Sequence, residues 1–347
     1  MSSKAEEALP HGFANEEALE DFMTLPTESL VADLGHLSGD IVVLGVGGKM
    51  GPTLARLAKR AAPSKRVIGV ARFSDRSLVK KLERWNIETI QCDLLDRAAV
   101  ARLPTIENVV FMAGRKFGTS GAEHLTWAMN AMVPAIVAEH FKESRIVSLS
   151  TACVYPYMDV RRQGATEVTP AIPPPGEYAY SCLARERMFE YFSHQYSTPG
   201  RAIRLSYAID MRYGVLHDVA RKVFDEDTID ISMGHANVIW QGDANAQILR
   251  GLHHVTEPST PLNVSGAETT SIRAVAEAFG QIFGKAATFS KSESDKTWLM
   301  DTSQAQRLFG KPAVSLTRMI EWTADWIERG QPELDHHTHY DVRDGNY

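Results

Sequence analysis

The stretch Asp40-Ile-Val-Val-Leu-Gly-Val-Gly-Gly-Lys-Met-Gly51 decides the fold of this chain, because a short apolar strand runs directly into a glycine-rich turn. The run that follows, residues 52–59, has the composition of a helix. Gly45 allows a sharp turn off the strand, Gly48 lets a phosphate approach the backbone, and Gly51 allows close packing of the helix on the strand. The free N–H groups at the positive end of that helix would bind a pyrophosphate. The spacing therefore predicts a dinucleotide site.

A triphosphate-binding loop is the other glycine-rich turn to consider here, and the residue order excludes it. Gly48-Lys49 is followed by Met50 instead of Ser or Thr, and Val43 occupies the position of the first glycine of such a loop. Lys49 and Met50 are accordingly expected to flank a dinucleotide.

The composition favours a soluble protein that works on small molecules. The chain has 347 residues, of which 44% are hydrophobic and 23% are charged, so it can bury a large core. Its formal charge of −6 argues against nucleic-acid binding, which requires a basic surface. Three scattered cysteines predict neither disulfides nor a metal site and favour a reducing, cytoplasmic compartment. No export signal or long apolar run is present, so we expect no membrane partner.

After the glycine turn, apolar strands alternate with amphipathic helices. Parallel strands require crossover helices and are buried on both faces, so this alternation predicts an α/β fold with a doubly wound parallel sheet. The later predicted strands lie at residues 66–71, 89–92, 108–113 and 145–150.

The pattern also divides the chain into four parts. Two helical patterns before the glycine turn, Asn15 to Met23 and Thr27 to Leu37, begin at good N-cap residues. The predicted parts are an N-terminal helical extension (1–39), a Rossmann domain (40–205), a smaller C-terminal α/β substrate lobe with segments that return to the Rossmann domain (206–330), and a tail (331–347).

Short motifs follow the glycine turn in an informative order. They are Asp93-Leu94, Met112-Ala-Gly114, Asn130, Ser150-Thr-Ala-Cys-Val-Tyr155, Tyr178-Ala-Tyr-Ser-Cys182, Asn237–Ala244, Pro261–Gly266 and Asp301-Thr-Ser303. With these motifs, residues 40–330 resemble the extended short-chain dehydrogenase/reductase family, which includes NAD-dependent epimerases and dehydratases.

The resemblance implies an NAD(P) cofactor and assigns roles to individual residues. It implies Tyr178 as the group that moves the substrate proton, Thr151 as the hydroxyl that orients the substrate oxygen, and Asn130 as a further member of the catalytic set. The residues expected to contact the cofactor are Gly45, Gly48, Lys49, Met50, Gly51, Arg72, Asp93, Leu94, Met112, Ala113, Gly114, Tyr178 and Cys182.

The end of the second strand bears on the choice of cofactor. A carboxylate at that position normally binds the free 2′-hydroxyl of an adenosine ribose, but here the position is Ala71. The next residue, Arg72, offers a planar fork to a 2′-phosphate, which favours NADP. Arg72 as a solvated turn residue, with Asp75 close by, keeps NAD as the alternative.

The catalytic motif departs from the family pattern at one position. The family motif is Tyr-x-x-x-Lys, and here Cys182 stands at the lysine position one helical turn after Tyr178. Cysteine supplies neither the charge that lowers the tyrosine pKa nor a donor for the nicotinamide ribose. A register with Tyr180 and Ala184 is no better. Three other cations are candidates to compensate: Arg115, Lys116 and Arg185.

The family arrangement places the substrate between the Rossmann domain and the C-terminal lobe. Arg115, Lys116, Tyr207 and Arg212 are the predicted substrate contacts, and Arg204, Tyr213 and Trp240 are further candidates to line the site. The histidine-rich stretch 334–340 has a metal-like composition, but we favour a polar tail that packs on a partner or is solvated, and predict no metal.

These features predict an oxidoreductase or epimerase that acts on a carbonyl or hydroxyl of a sugar-like or hydroxy-acid substrate. The alternative is a non-catalytic NAD(P)-binding sensor or interaction protein, which the loss of the lysine would permit. The helices around residues 123–139 and 177–191 resemble the pair that forms the family's dimer interface, so a homodimer is expected.

Overall fold

The computed structural model describes residues 9–334 and 337–343. The strands, numbered along the chain, are β1 (Ile41–Leu44), β2 (Val67–Ala71), β3 (Glu88–Gln91), β4 (Asn108–Phe111), β5 (Arg145–Thr151), β6 (Met158–Asp159), β7 (Gly200–Leu205), β8 (Ala208–Ile209), β9 (Thr228–Asp230), β10 (His235–Ala236), β11 (Ile239–Trp240), β12 (Thr260–Val264), β13 (Thr270–Ser271), β14 (Thr288–Ser290) and β15 (Lys296–Thr297).

The helices follow the same numbering, with a π-helical turn at Ala128–Met132 and a 3₁₀ turn at Ala152–Val154. The α-helices are α1 (Glu16–Met23), α2 (Glu28–Gly35), α3 (Gly51–Ala61), α4 (Arg76–Arg84), α5 (Arg97–Val100), α6 (Glu123–Trp127), α7 (Val133–His140), α8 (Glu177–Tyr196), α9 (Val215–Phe224), α10 (Gln241–Arg250), α11 (Ile272–Phe283), α12 (Ser303–Phe309) and α13 (Leu316–Glu328).

A seven-stranded parallel sheet forms the centre of the molecule, in the order β12-β7-β5-β4-β1-β2-β3. All four residues of β1 are buried, and they alternate between two cores. Ile41 and Val43 belong to a core shared with α2, α3 and α10, while Val42 and Leu44 face a core shared with α7. The alternation follows from the two-residue period of a strand. The predicted doubly wound α/β fold is confirmed.

A second core forms the C-terminal part of the chain. Helices α9, α11 and α13 pack together there. Strands outside the central sheet pair only in twos, β6 with β15, β8 with β11, β9 with β14, and β10 with β13. Strand β12 returns to the central sheet beside β7. The proposed domain boundaries at residues 39, 205 and 330 stay predictions.

The N-terminal extension is built into the fold. The predicted N-caps are confirmed, since Asn15 Oδ1 accepts from Ala18 N at 2.9 Å and Thr27 Oγ1 accepts from Leu30 N at 3.2 Å. Rings of the extension pack against Trp322 of α13, with centroid distances of 4.9 Å for Phe13 and 5.5 Å for Phe22. The extension therefore contributes to the C-terminal core.

An ion cluster also joins α1 to the C-terminal part. The Arg212 guanidinium contacts Asp210 at 2.8 Å and Glu20 at 3.0 Å, and all three side chains are buried. Burial is the largest single effect and favours the neutral acid, but the charge and hydrogen bonds of Arg212, together with the charge of Lys49, outweigh it and hold the pKa of Asp210 below its usual range. The ionised pair therefore stabilises the folded chain at neutral pH.

We expect Arg212→Met to lower the free energy of unfolding by about 3 to 5 kcal/mol, because it leaves Asp210 and Glu20 buried without their cation. Urea unfolding at pH 7 measures the change. Since the folded-state pKa of Asp210 is depressed, its contribution is present at neutral pH and is lost below the ordinary aspartate pKa of about 4. The difference between the two proteins should therefore shrink as the pH falls.

The matched control is Arg97→Met, because Arg97 and Glu139 form an exposed pair at 3.6 Å. Its unfolding midpoint should stay close to wild type. Equal midpoints for the Arg212 variant and the control would contradict the role assigned to the cluster.

Candidate active site

A groove of about 410 Å³ follows the carboxyl ends of β1, β2, β3 and β4, and we call it the glycine groove. Its position is that expected for ligands of open α/β sheets. Its lining contains most of the residues predicted to contact a cofactor. The lining residues are Gly45, Gly47, Gly48, Ala71, Arg72, Phe73, Ser74, Asp75, Leu78, Cys92, Asp93, Leu94, Met112, Ala113, Gly114 and Met129.

Two of the glycines are required by close backbone contacts. A Cβ on Gly45 would lie 2.6 Å from Ala113 N, and the φ of Gly45 is +87°. A Cβ on Gly51 would lie 2.3 Å from the carbonyl oxygen of Val46, so the helix can start here only without a side chain. Gly48 differs, since a Cβ there would meet only the Gly45 carbonyl oxygen, at 3.6 Å. It leaves the groove open to a ligand.

The end of β2 holds the residues that bear on the cofactor type. Arg72 is exposed beside the groove, and its carbonyl oxygen accepts a hydrogen bond from Gln91 at 3.0 Å. The Asp75 carboxylate instead caps α4 by accepting from both Ser77 Oγ and Ser77 N, at 2.7 and 2.8 Å. These hydrogen bonds lower the pKa of Asp75. Asp75 is therefore already engaged, while the guanidinium of Arg72 faces solvent at the groove.

Lys49, Met50 and Gly51, three of the predicted cofactor contacts, are absent from the described lining of the groove. Lys49 Nζ donates to the carbonyl oxygen of Ala208 at 2.9 Å and lies 4.5 Å from the ring centroid of Tyr213. Burial lowers the pKa of Lys49 to about 8. Met50 packs against the core of β1 and α3. Lys49 thus joins the glycine turn to the C-terminal part, which the sequence pattern did not predict.

A cavity of about 290 Å³ adjoins the glycine groove, and both are lined by Met112 and Gly114. We call it the tyrosine cavity. It brings together Thr151, Tyr178, Arg115, Lys116 and Tyr207, which the sequence analysis assigned to catalysis or to substrate. The other lining residues are Leu149, Ser150, Ala152, Cys153, Arg185, Leu205, Ser206 and Trp298.

The tyrosine has a strongly raised pKa. Burial raises the pKa of Tyr178 well above its usual value, and Cys182 and Cys153 raise it further, while the charge of Arg185 acts in the opposite direction. Tyr178 and Cys182 are hydrogen-bonded to each other, in agreement with their predicted position on one helix face. Burial also raises the pKa of the Cys182 thiol, to about 11. Both groups are therefore protonated at neutral pH.

Thr151 is the last residue of β5, so its side chain lies at the carboxyl edge of the sheet. Its Oγ1 accepts from Cys153 N at 3.2 Å, which starts the 3₁₀ turn. The hydroxyl proton is then available for a substrate oxygen. The backbone of Tyr207, which also lines the cavity, has a φ of +22°, which is uncommon for a residue with a side chain. Such backbone strain clusters at functional sites.

Asn130 lies beneath the cavity and organises it. Fully buried in the π-helical turn, it accepts from Arg115 N at 2.8 Å and from Arg185 Nη2 at 2.6 Å through Oδ1. Its amide group donates to the carbonyl oxygen of Arg115 at 2.8 Å and to Ser181 Oγ at 2.9 Å. The asparagine thus holds the backbone of Arg115 and the guanidinium of Arg185 in place.

Lys116 connects the cavity to the C-terminal tail. Its Nζ donates to the carbonyl oxygen of Thr338 at 2.9 Å and lies 5.9 Å from the ring centroid of Tyr178. Thr338 in turn donates to the buried Asp218 through its N–H at 2.9 Å. The described part of the tail therefore packs on its own chain beside the cavity. Asp335 and His336 of the histidine-rich stretch lie outside the described residues.

Several predicted substrate residues lie elsewhere. Arg212 belongs to the ion cluster with Asp210, and Arg204 is paired with the buried Glu186 at 2.7 Å. Trp240 packs in the C-terminal core. These side chains are absent from the described lining of the tyrosine cavity, because buried acids or apolar neighbours already surround them.

Trp298 and Ser206 line the cavity without having been predicted. Trp298 directly follows β15 and donates its indole N–H to the carbonyl oxygen of Tyr155 at 3.1 Å. The sequence around it has no motif that would have indicated this position. Ser206 follows Arg204 by two residues and lies outside the motifs quoted above.

Comparisons with known proteins agree with this geometry. The model of the NAD dependent epimerase/dehydratase family matches residues 41–247. The chain therefore belongs to the NAD-dependent epimerase/dehydratase family. No protein in a search of curated sequences matches the chain.

Solved structures of similar fold include nucleotide-sugar enzymes at low sequence identity. UDP-glucose 4-epimerase of Thermotoga maritima is 17% identical, with a TM-score of 0.68 over 84% of this chain and 99% of that one. UDP-glucuronic acid 4-epimerase of Bacillus cereus, in complex with NAD, is 20% identical, with a TM-score of 0.69 over 84% and 99%. The dTDP-glucose 4,6-dehydratase of Bacillus anthracis, in complex with NAD, is 15% identical, with a TM-score of 0.71 over 84% and 96%.

Family membership confirms the predicted family and the prediction of an NAD(P)-binding enzyme of the epimerase/dehydratase class. Within residues 9–334 and 337–343, no helix has the length and apolarity needed to cross a membrane. The same residues include no cluster of His, Cys, Asp or Glu that would hold a metal ion.

Proposed function

We propose that this protein interconverts a hydroxyl and a carbonyl group on a sugar-like or hydroxy-acid substrate in the tyrosine cavity. One observation carries the proposal: Thr151 and Tyr178 line a single cavity that adjoins the glycine groove at Met112 and Gly114. Tyr178 moves the proton on the substrate oxygen, and Thr151 orients that oxygen by a hydrogen bond.

The glycine groove fits a nicotinamide dinucleotide. Gly48 leaves the groove open where a pyrophosphate would contact the backbone, and Gly45 and Gly51 allow the tight turn around it. Asp93 and Leu94 line the part of the groove that would hold the adenosine, and Gly114 lines the part that adjoins the cavity. The bound nicotinamide would supply a hydride donor or acceptor. The protein side chains would hold the substrate oxygen in place and move its proton.

The charges around the cavity favour a substrate with a negative group. Arg115, Lys116 and Arg185 line it, and no carboxylate belongs to its lining among the residues that the structure describes. We assign Arg115, Lys116 and Tyr207 to the substrate. A sugar phosphate, a nucleotide sugar or a hydroxy acid has the required charge, and the similar structures named above are nucleotide-sugar enzymes.

The rival proposal is a nucleotide-binding protein without turnover. Cys182 favours the non-catalytic protein, because a thiol carries no positive charge that would lower the pKa of Tyr178. The Cys182 thiol is buried, and its pKa is raised to about 11. The intact cavity favours an enzyme. Turnover with a panel of sugar phosphates, nucleotide sugars and hydroxy acids, followed by absorbance at 340 nm and by NMR for net epimerisation, decides between them.

We expect Tyr178→Phe to lower turnover by about 10²- to 10⁴-fold, the usual contribution of a positioned acid or base. The Kd for the cofactor should change by less than about threefold, since the ring is retained. The raised pKa of Tyr178 keeps the phenol protonated at neutral pH, so carbonyl reduction should be favoured there and alcohol oxidation should rise toward alkaline pH.

The matched control is Tyr180→Phe, on the same helix and 44% exposed, which should retain turnover. This control also tests the alternative catalytic register. Unchanged turnover in Tyr178→Phe would rule out the proposed chemistry.

We further propose that NADP(H) is preferred over NAD(H), because Arg72 is exposed beside the groove while Asp75 is engaged in capping α4. Arg72→Ala should weaken NADPH binding by about 10- to 100-fold, the value of a charge-assisted hydrogen bond, and leave NADH binding unchanged. Titration calorimetry measures both. The control is Arg76→Ala, because Arg76 is a nearby exposed arginine outside the groove lining, and this variant should bind NADPH as the wild type does. Tighter binding of NADH than of NADPH by the wild type would refute the preference for NADP(H).

A homodimer remains our proposal for the assembly. Helices α6, α7 and α8 with the π-helical turn present exposed apolar side chains on one part of the surface, including Leu125 (41% exposed), Met132 (43%) and Tyr191 (58%). Light scattering should find a dimer at micromolar concentration that Met132→Glu dissociates. The control Val168→Glu, on an exposed loop, should stay dimeric. A monomeric wild type would exclude the proposal.

A cytoplasmic location also stays a proposal, to be tested by cell fractionation.

A further inference from the structure

We infer that Arg185 replaces the missing lysine, by binding the nicotinamide ribose and by placing a positive charge behind Tyr178. The inference rests on the proposed function, because it assigns Arg185 a place in the same site. It is carried by the geometry of α8, by the contacts of the guanidinium and by one buried donor without a partner.

Helix geometry brings Arg185 back toward the tyrosine. Seven residues are almost two full helical turns, so Arg185 leaves α8 within about 20° of the direction of Tyr178. Side chains on a helix tilt toward its N-terminus, and an arginine is long enough to reach across the turn that separates them. Cys182 lies on that intervening turn and is fully buried. The small thiol leaves room for the guanidinium.

The contacts of the guanidinium place it at the junction of groove and cavity. Nη1 donates to the carbonyl oxygen of Leu149 at 2.8 Å, and Nη2 donates to Asn130 Oδ1 at 2.6 Å. A Cβ on Gly114 would lie only 2.3 Å from Nη2. Gly114 ends the Met112-Ala-Gly114 motif, which the family resemblance assigns to the cofactor, and it lines both the groove and the cavity. Arg185 therefore lies where the ammonium of the family lysine is needed.

Arg185 also has an unused donor. The residue is only 6% exposed, and its Nε is buried with no hydrogen-bond partner among the described residues. A buried donor without a partner is costly, and a ligand oxygen would remove that cost. Within the part of the chain that the structure describes, the hydrogen-bond acceptors of Arg185 are neutral groups, so its charge is not cancelled by a contacting carboxylate.

The other two cations of the cavity differ from Arg185 in where their charges lie, although Arg115 also has a buried Nε without a hydrogen-bond partner among the described residues. Lys116 Nζ is bonded to the carbonyl oxygen of Thr338 in the tail, and Arg115 Nη2 donates to the carbonyl oxygen of Gly118 at 2.7 Å. Neither contact places the charge against Gly114. The guanidinium of Arg185 lies against Gly114, and its charge lowers the pKa of Tyr178, although burial raises that pKa more strongly.

The test compares a complete dinucleotide with a ligand that lacks its nicotinamide half. We expect Arg185→Met to weaken NADPH binding by about 10- to 100-fold in titration calorimetry, the loss of a charged hydrogen-bond donor. Binding of adenosine 2′,5′-bisphosphate should change by less than about twofold, because this probe has no nicotinamide ribose. Arg187→Met, on the exposed side of the same helix, is the control and should change neither affinity. If NADH proves to be the tighter cofactor, NADH and ADP are the two probes.

A second substitution makes the test specific to the lysine's task. In the Arg185→Met background, Cys182→Lys should restore NADPH affinity to within about fivefold of wild type, since it returns a cation to the family position. In the wild-type background, Cys182→Lys should lower the melting temperature, because it brings two buried cations together. If Arg185→Met does not fold, Arg185→Lys takes its place, with an expected loss of about three- to tenfold for NADPH alone.

Equal losses for both probes, or no loss for NADPH, would overturn the assignment of Arg185. That result is separate from failure of the proposed function, which is read from turnover of Tyr178→Phe. Arg185→Met could weaken NADPH binding while Tyr178→Phe leaves turnover unchanged. That result would support the role of Arg185 in cofactor binding and would refute the proposed chemistry.

Discussion

The parallel register of the central sheet is the constraint on which the site depends. Leu44 at the end of β1 pairs with Phe111 at the end of β4, and Phe111 pairs with Ser148 of β5. Because parallel strands end at one edge, the glycine turn, the segment from Met112 to Gly114 and Thr151 meet there. The contact between Gly45 and Ala113 is so close that no side chain fits between them. A dinucleotide groove and an adjoining cavity follow from this arrangement.

The charges inside the protein fall into two groups with different consequences. Buried arginines of the first group are paired with carboxylates, as in Arg204 with Glu186 and Arg212 with Asp210, and these pairs hold elements together. Arg115, Lys116 and Arg185 form the second group, and they donate to oxygen atoms of neutral groups around the cavity. A cation bonded to carbonyl oxygens keeps its net charge. The two guanidinium groups thus leave the cavity positive although the chain as a whole is negative, while burial lowers the pKa of Lys116.

Segments outside the family's matched range complete the molecule. The N-terminal helix α1 supplies Glu20 to the buried ion cluster, and Phe13 joins the aromatic core around Trp322. The tail supplies the carbonyl oxygen of Thr338 to Lys116 on the cavity wall. These contacts tie the position of a cavity cation to a residue 222 positions further along the chain. They also explain why the described part of the histidine-rich tail, which we predicted to be polar and either packed on a partner or solvated, is partly buried.

The amino-acid sequence by itself determined the family, the doubly wound sheet and most of the glycine groove. Those features depend on local spacing, since a turn after a buried strand needs glycines at set intervals, and neighbouring residues carry the whole signal. The sequence also showed that the lysine is missing after Tyr178. Only the tertiary structure decided which charges reach the cavity: it directs Lys49 and Arg212 away from it and brings Arg185 against Gly114. The physical reason is that the direction of a long side chain depends on buried partners from distant segments, and spacing along the chain does not record them.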